Sequence, residues 1–80
     1  MKHTRPDYNR IQDPADKIPE DEPVFLLRGQ DVLAPSLVKD WAIRLLAAGG
    51  DIKMAAMALE QSELMREWQR TQNKKMPDLP

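Results

Sequence analysis

Two adjacent glycines separate two helix-forming stretches and decide how this chain can fold. Gly49 and Gly50 follow a stretch of helical apolar spacing that begins near Pro35, a residue that suits the first turn of a helix because its missing N–H is not needed there. Asp51 comes next and has the properties of an N-cap for a second helix, which we predict to end near Asn73. Because the break is so short, the sequence predicts an antiparallel helical hairpin. The predicted fold class is all-α, with a short extended segment before the hairpin.

The two predicted helices carry more apolar surface than one helix–helix contact can bury. The second helix has two apolar faces, which are Ile52, Ala55, Ala56 and Leu59 on one side and Met54, Met57, Leu64, Met65 and Trp68 on the other. The chain has 80 residues and no cysteine, so disulfides cannot stabilise so small a core. We therefore expect a homo-oligomer, a dimer or a tetramer, in which hairpins assemble into an oligomeric helical bundle.

The segments on either side of the hairpin differ from it in composition. Residues 1–22 are rich in proline and charge and have few large apolar side chains, which is typical of a flexible arm. An alternative is that Tyr8 and Ile11 fix this arm to a neighbouring subunit. We predict a helical hairpin domain over residues 23–75 and a short C-terminal tail over residues 76–80.

Groups that could perform catalysis or bind a metal are scarce in the sequence. The single histidine, His3, lies in the predicted arm, where we expect it to be exposed and idle. The aspartates of the arm lack the alternating spacing of a calcium loop, and the glycines do not form a phosphate-binding loop. We therefore predict that the protein is not an enzyme and has no catalytic residue, metal or cofactor.

Charge and hydropathy restrict the partners. Twelve Lys and Arg against thirteen Asp and Glu give a net charge of -1, which argues against duplex nucleic acid as a partner. The longest apolar run, Met54 to Leu59, is far shorter than the roughly 20 residues of a membrane span. The polar N-terminus does not have the pattern of a signal peptide. We expect a soluble, cytosolic protein that does not bind a membrane.

One stretch before the first helix combines residue types that are common in ligand sites. Around Gly29 the chain places the aromatic ring of Phe25, the guanidinium of Arg28, the amide of Gln30 and the carboxylate of Asp31. A structural interpretation is that Asp31 caps a helical turn and pairs with Arg28 while Gln30 bonds to the backbone. The functional interpretation is a polar recognition edge, in which the arginine binds a phosphate and the other groups recognise a base.

This stretch and several later residues of the chain together resemble a known group of proteins. The residues concerned are Pro19-Glu20-Asp21-Glu22-Pro23-Val24-Phe25-Leu26-Leu27-Arg28-Gly29-Gln30-Asp31, Ala34-Pro35, Trp41-Ala42, Met65, Trp68-Gln69 and Pro77-Asp78-Leu79-Pro80. With them the chain resembles a family of small bacteriophage and prophage proteins that mostly have no assigned activity. At the level of protein class it is also similar to oligomeric phage sponges, which sequester the cyclic nucleotide signals of CBASS-type bacterial defence.

The resemblance to sponges implies a binding function in the cytoplasm of the bacterial host. Under it, the protein evades host immunity by holding a cyclic nucleotide without hydrolysing it. Arginines would contact or neutralise phosphate, an aromatic ring would stack on a base, and polar side chains would read the base edge. The residues that would form such a site are Phe25, Arg28, Gln30, Asp31, Trp41, Arg44 and Arg66. The alternative is a small helical protein–protein interaction module, an adaptor or an inhibitor of a host protein.

Overall fold

The helical hairpin predicted from the sequence is confirmed. The computed structural model describes residues 1–8 and 13–79. Helix α1 spans Ala34–Ala47 and helix α2 spans Ile52–Thr71, close to the predicted bounds. The described chain forms two units, one of Met1–Leu27 with Asp78–Pro80 and one of Arg28–Pro77, which contains both helices.

The turn between the helices has the local structure that its residues predict. Gly49 has a φ of 77°, in the left-handed region that glycine adopts without steric cost. Its N–H donates to Leu46 O at 3.0 Å and the N–H of Gly50 donates to Leu45 O at 2.9 Å, the pair of bonds that ends a helix in a Schellman motif. The carboxylate of Asp51 then accepts the N–H of Met54 at 3.0 Å, so the next helix starts with a satisfied N-cap.

Small residues form the contact between α1 and α2. Ala42, Ala55 and Ala58 make up the buried cluster, and Ser62 is 1% exposed. The Ser62 hydroxyl donates to Leu59 O at 2.7 Å, so it has a partner inside the helix. Alanine and serine let two helices approach closely, because interaxial distance is set by the side chains at the contact. The large side chains therefore lie at the edges of the contact or outside it.

The first unit contains a short parallel sheet, so the all-α prediction needs a correction. Strand β1, Lys2–His3, pairs with strand β2, Pro23–Val24. The N–H of Lys2 donates to Glu22 O at 2.7 Å. Proline and closely spaced charges disfavour a helix here, and extended segments can satisfy their backbone groups by pairing. The fold is mostly helical with one two-stranded sheet.

An arginine organises part of the predicted arm. The Arg5 guanidinium donates to both carboxylate oxygens of Asp7, at 3.0 and 2.7 Å, and to Asp78 O at 2.9 Å. It also lies 4.8 Å from the centre of the Tyr8 ring. The hydrogen bonds that Arg5 donates to the Asp7 carboxylate raise the pKa of Arg5 above its ordinary value. Ile11, the second anchor suggested for the arm, lies outside the described residues, and the flexibility of residues 1–22 stays a prediction.

Within the described residues, neither helix is long and apolar enough to cross a membrane.

Candidate functional site

The loop that begins with Arg28 is fixed to the end of α2 by one amide. Gln69 Nε2 donates to Gly29 O at 2.9 Å and to Asp31 O at 2.7 Å. Both hydrogens of the amide nitrogen are thus directed at backbone carbonyls of the same loop. Gln69 is half-buried, so these bonds are partly shielded from water. The loop is held by a residue 38 to 40 positions away in sequence.

Backbone pairing closes the same loop from a second direction. The N–H of Lys75 donates to Gln30 O at 2.8 Å, and the N–H of Val32 donates to Lys75 O at 3.0 Å. The two bonds form an isolated parallel bridge between Asp31 and Lys75. The segment that follows α2 therefore lies along the loop, with Lys74 next to the bridge in sequence.

Asp31 has mainly a local structural role in this loop. Its carboxylate accepts the N–H of Leu33 at 2.8 Å, and its carbonyl accepts the N–H of Ala34 at 3.0 Å, where α1 begins. This matches the helical turn in the structural interpretation. Arg28 is exposed and, among the described residues, it forms no ion pair with Asp31 or with another carboxylate. Its guanidinium is therefore the group in the loop best placed to meet an anion.

The other predicted ligand residues are spread over the two helices and the first unit. Trp41 and Arg44 follow on α1, more than one helical turn beyond its start, and Arg44 is paired with Asp40 at 2.8 Å on an exposed surface. At 100° per residue, Trp41 and Arg66 fall on opposite sides of the hairpin. Phe25 belongs to the first unit, where it is largely exposed. Of the seven predicted ligand residues, three belong to the loop itself, namely Arg28, Gln30 and Asp31.

Sequence reasoning missed the residues that brace the loop. Gln69 had one available signal, since it lies seven residues after Ser62 and fourteen after Ala55. That spacing places it on the same face of α2 as the buried contact. A polar side chain at such a position needs a hydrogen-bond partner. The backbone bridge of Lys75 has no comparable signal in the sequence.

A row of large side chains on α2 remains outside the hairpin contact. We call the row Met54, Met57, Gln61, Leu64 and Trp68 the α2 stripe. Its apolar members are exposed by 43 to 63%. This confirms that one of the two predicted apolar faces of the helix is not covered by α1. Met65, predicted on the same face, is half-buried at its edge.

The structure also gives the positions of the titratable groups and of one cavity. Within residues 1–8 and 13–79, no group of three or more His, Cys, Asp or Glu is arranged to hold a metal ion. His3, expected to be exposed, is half-buried in β1. Both of its ring nitrogens are buried and have no hydrogen-bond partner among the described residues. A cavity of about 550 Å³ in the first unit is lined by Met1 and residues 16–20 and contains none of the predicted ligand residues.

A comparison of the chain with protein-family models, curated proteins and solved structures gave no match.

Proposed function

We propose that this chain is a bacteriophage counter-defence protein that binds and sequesters a cyclic nucleotide immune signal without hydrolysing it. The observation that carries the proposal is the braced loop after Arg28. Gln69 and Lys75 hold its backbone through four hydrogen bonds, so little ordering is needed when a ligand binds. An arginine outside any ion pair of the described residues can bind a phosphate through two parallel hydrogen bonds.

The basic residues near the loop suit an anionic ligand. Lys74 and Lys75 follow the end of α2, and the bridge brings the backbone of Lys75 against Gln30. A cyclic di- or trinucleotide carries two or more phosphates, which Lys74 can neutralise together with Arg28. We expect the ligand to be held between chains, because Arg44 lies about 15 Å along α1 from the end that adjoins the loop. Phe25, which is largely exposed, would stack from one subunit on a base bound at the loop of another.

The proposal is tested by ligand-dependent thermal unfolding. A panel of cyclic di- and trinucleotides is added to the wild type, to Arg28→Ala and to the control Lys39→Ala, which changes an exposed lysine of α1. A ligand at 100 times its Kd stabilises the folded state by about 2.7 kcal/mol. For a domain of this size, that corresponds to a rise in Tm on the order of 10 °C.

Three results together support sequestration. The rise occurs in the wild type and in Lys39→Ala, it is lost in Arg28→Ala, and the nucleotide is recovered chemically intact after the protein is denatured. Absence of a shift with every nucleotide of the panel would contradict nucleotide binding. Recovery of a linear or hydrolysed nucleotide would contradict the non-enzymatic part of the proposal.

A second candidate function is a protein–protein interaction module, and the α2 stripe favours it. Met57 and Trp68 are exposed by 63% and 43%, and flexible methionines are common at adaptable binding surfaces. This function predicts a stoichiometric host protein that co-purifies with the tagged wild type. The complex should be lost in Met57→Glu and kept in Ile52→Glu, which places the same charge on a different exposed face of α2.

A further inference from the structure

The α2 stripe has the spacing of a helix–helix contact. Its members follow one another at intervals of three, four, three and four residues. This alternation is the 3.5-residue period of coiled-coil seams, in which one helix packs along another. The hairpin contact does not use this seam, because α1 packs against the face with Ala55, Ala58 and Ser62. The stripe lies roughly 110° around the helix from that face.

Helix α1 contributes two more apolar side chains to the side of the hairpin on which the α2 stripe lies. The helices run antiparallel and meet through Ala42 on one side and Ala55 and Ala58 on the other. With 100° per residue, Leu37 and Trp41 then project to the side on which the α2 stripe lies. Both are about half exposed. Two helices thus present one continuous apolar face, which is the shape that half of a four-helix bundle has.

The order of side chains along the stripe fits a second copy of the same chain. Gln61 lies in the middle, with Met54 and Met57 before it and Leu64 and Trp68 after it. A two-fold axis requires a surface that is complementary to itself. When two stripes run antiparallel, the methionines of one chain lie opposite Leu64 and Trp68 of the other. Methionine adapts its shape to a bulky ring and makes favourable sulfur–aromatic contacts.

Charges at the edge of the stripe favour the antiparallel direction. Lys53 and Glu67 occupy equivalent flanking positions, fourteen residues apart. In an antiparallel pair, Lys53 of each chain lies beside Glu67 of the other, which gives two opposite-charge contacts. In a parallel pair the same lysine would face the flank of Ala58 and meet no charge. The antiparallel register also brings Glu60 close to its own copy, which is a smaller, unfavourable contribution.

We propose that two copies of this chain pair through antiparallel α2 stripes, with Leu37 and Trp41 completing the core of a four-helix bundle. A second copy covers the apolar face, because the stripe of one chain matches the antiparallel stripe of another in two ways. Methionines lie opposite Leu64 and Trp68, and Lys53 lies beside Glu67. The pairing does not depend on which nucleotide the protein binds, and it covers the α2 stripe that the host-protein module would need.

Light scattering after size exclusion tests the pairing through mass. The wild type at micromolar concentration should have twice the 9.2 kDa mass of the chain or an even multiple of it. Met57→Glu and Leu64→Glu should each reduce that mass to a monomer, with helical circular dichroism retained, because both side chains are exposed in the hairpin. Ile52→Glu is the matched control and should keep the wild-type mass. A monomeric wild type, or a Met57→Glu variant that stays paired, overturns the proposal.

Cysteine cross-linking tests the direction. The chain has no cysteine of its own, and residues 53 and 67 of one helix are about 21 Å apart, too far for a disulfide within a chain. Under oxidation, Lys53→Cys mixed with Glu67→Cys should give a covalent heterodimer faster than either variant alone gives a homodimer. A Lys53→Cys homodimer that forms faster than the mixed product indicates parallel helices and overturns the register. This readout does not depend on whether the charged variants fold.

Discussion

Replacement of Gln69 tests whether one amide holds the open end of the hairpin. Gln69→Ala removes two hydrogen bonds, each with a net value of about 0.5 to 1.5 kcal/mol. Asp31 O keeps the N–H of Ala34 as a donor, whereas Gly29 O has no other donor among the described residues. We therefore expect a loss of about 1 to 2 kcal/mol in the free energy of unfolding. In a domain of this size, this lowers the Tm by roughly 5 to 15 °C.

Gln69→Glu separates the hydrogen bonds from the packing of the side chain. The carboxylate has nearly the same shape but no N–H, and its charge faces the carbonyl oxygens of Gly29 and Asp31. At neutral pH this variant should be less stable than Gln69→Ala. The carbonyls raise the pKa of the new carboxyl in the folded state above its ordinary value of about 4.3. The added loss is therefore absent below about pH 4 and develops as the pH rises through the raised pKa.

Urea unfolding followed by circular dichroism measures these effects at one protein concentration, at pH 7 and at pH 4. Glu63→Ala serves as the control, since it truncates an exposed polar residue of the same helix and should change stability by less than about 0.5 kcal/mol. Amide exchange should accelerate at Val32 and Lys75, which donate the bonds of the bridge. If Gln69→Ala is as stable as Glu63→Ala and exchange is unchanged, the amide does not brace the loop.

Two further substitutions examine how the helices start and pack. Asp51→Ala removes the side-chain acceptor of the Met54 N–H and should lower the free energy of unfolding by about 1 kcal/mol, as measured by thermal unfolding. Its control is Asp40→Ala, which breaks an exposed ion pair with Arg44 and should lower that free energy by at most a few tenths of a kcal/mol. Ala55→Leu inserts a large side chain at a position with 0% exposure and should cost about 1 to 3 kcal/mol in urea unfolding. Ala56→Leu on the exposed surface should be close to neutral, and equal effects of the two leucines would contradict the small-residue contact.

The parts of the fold that the sequence predicts are those determined by neighbouring residues. Gly49 terminates α1 and Asp51 starts α2 through bonds that span only a few positions. Such bonds follow from the backbone freedom of glycine and the acceptor of aspartate, so one sequence is sufficient to predict them. The pairing of Lys2–His3 with Pro23–Val24 joins segments about twenty residues apart. Strands of two residues have no periodicity, and their pairing could not be predicted.

The choice between the two apolar faces of α2 also needed the structure. Large side chains suggest a core because their transfer from water contributes most to stability. In the hairpin, however, alanines and a serine form the contact, since two adjacent helices joined by a tight turn pack closely. The candidate site likewise has one part that depends on neighbouring residues and one part that depends on distant ones. The turn at Asp31 is local and was predictable, whereas its attachment to Gln69 depends on the register of the two helices.

The bridge between Asp31 and Lys75 has a consequence for the order of folding. It joins the two ends of the hairpin, so it closes a loop of about 45 residues, and the entropy lost on closure grows with loop length. Contacts next to Gly49 and Gly50 require almost no such closure and should form first, with pairing of the helices then advancing away from the turn. The loop after Arg28 is therefore completed last and opens first. Its candidate ligand groups acquire their positions only when the whole hairpin is in register.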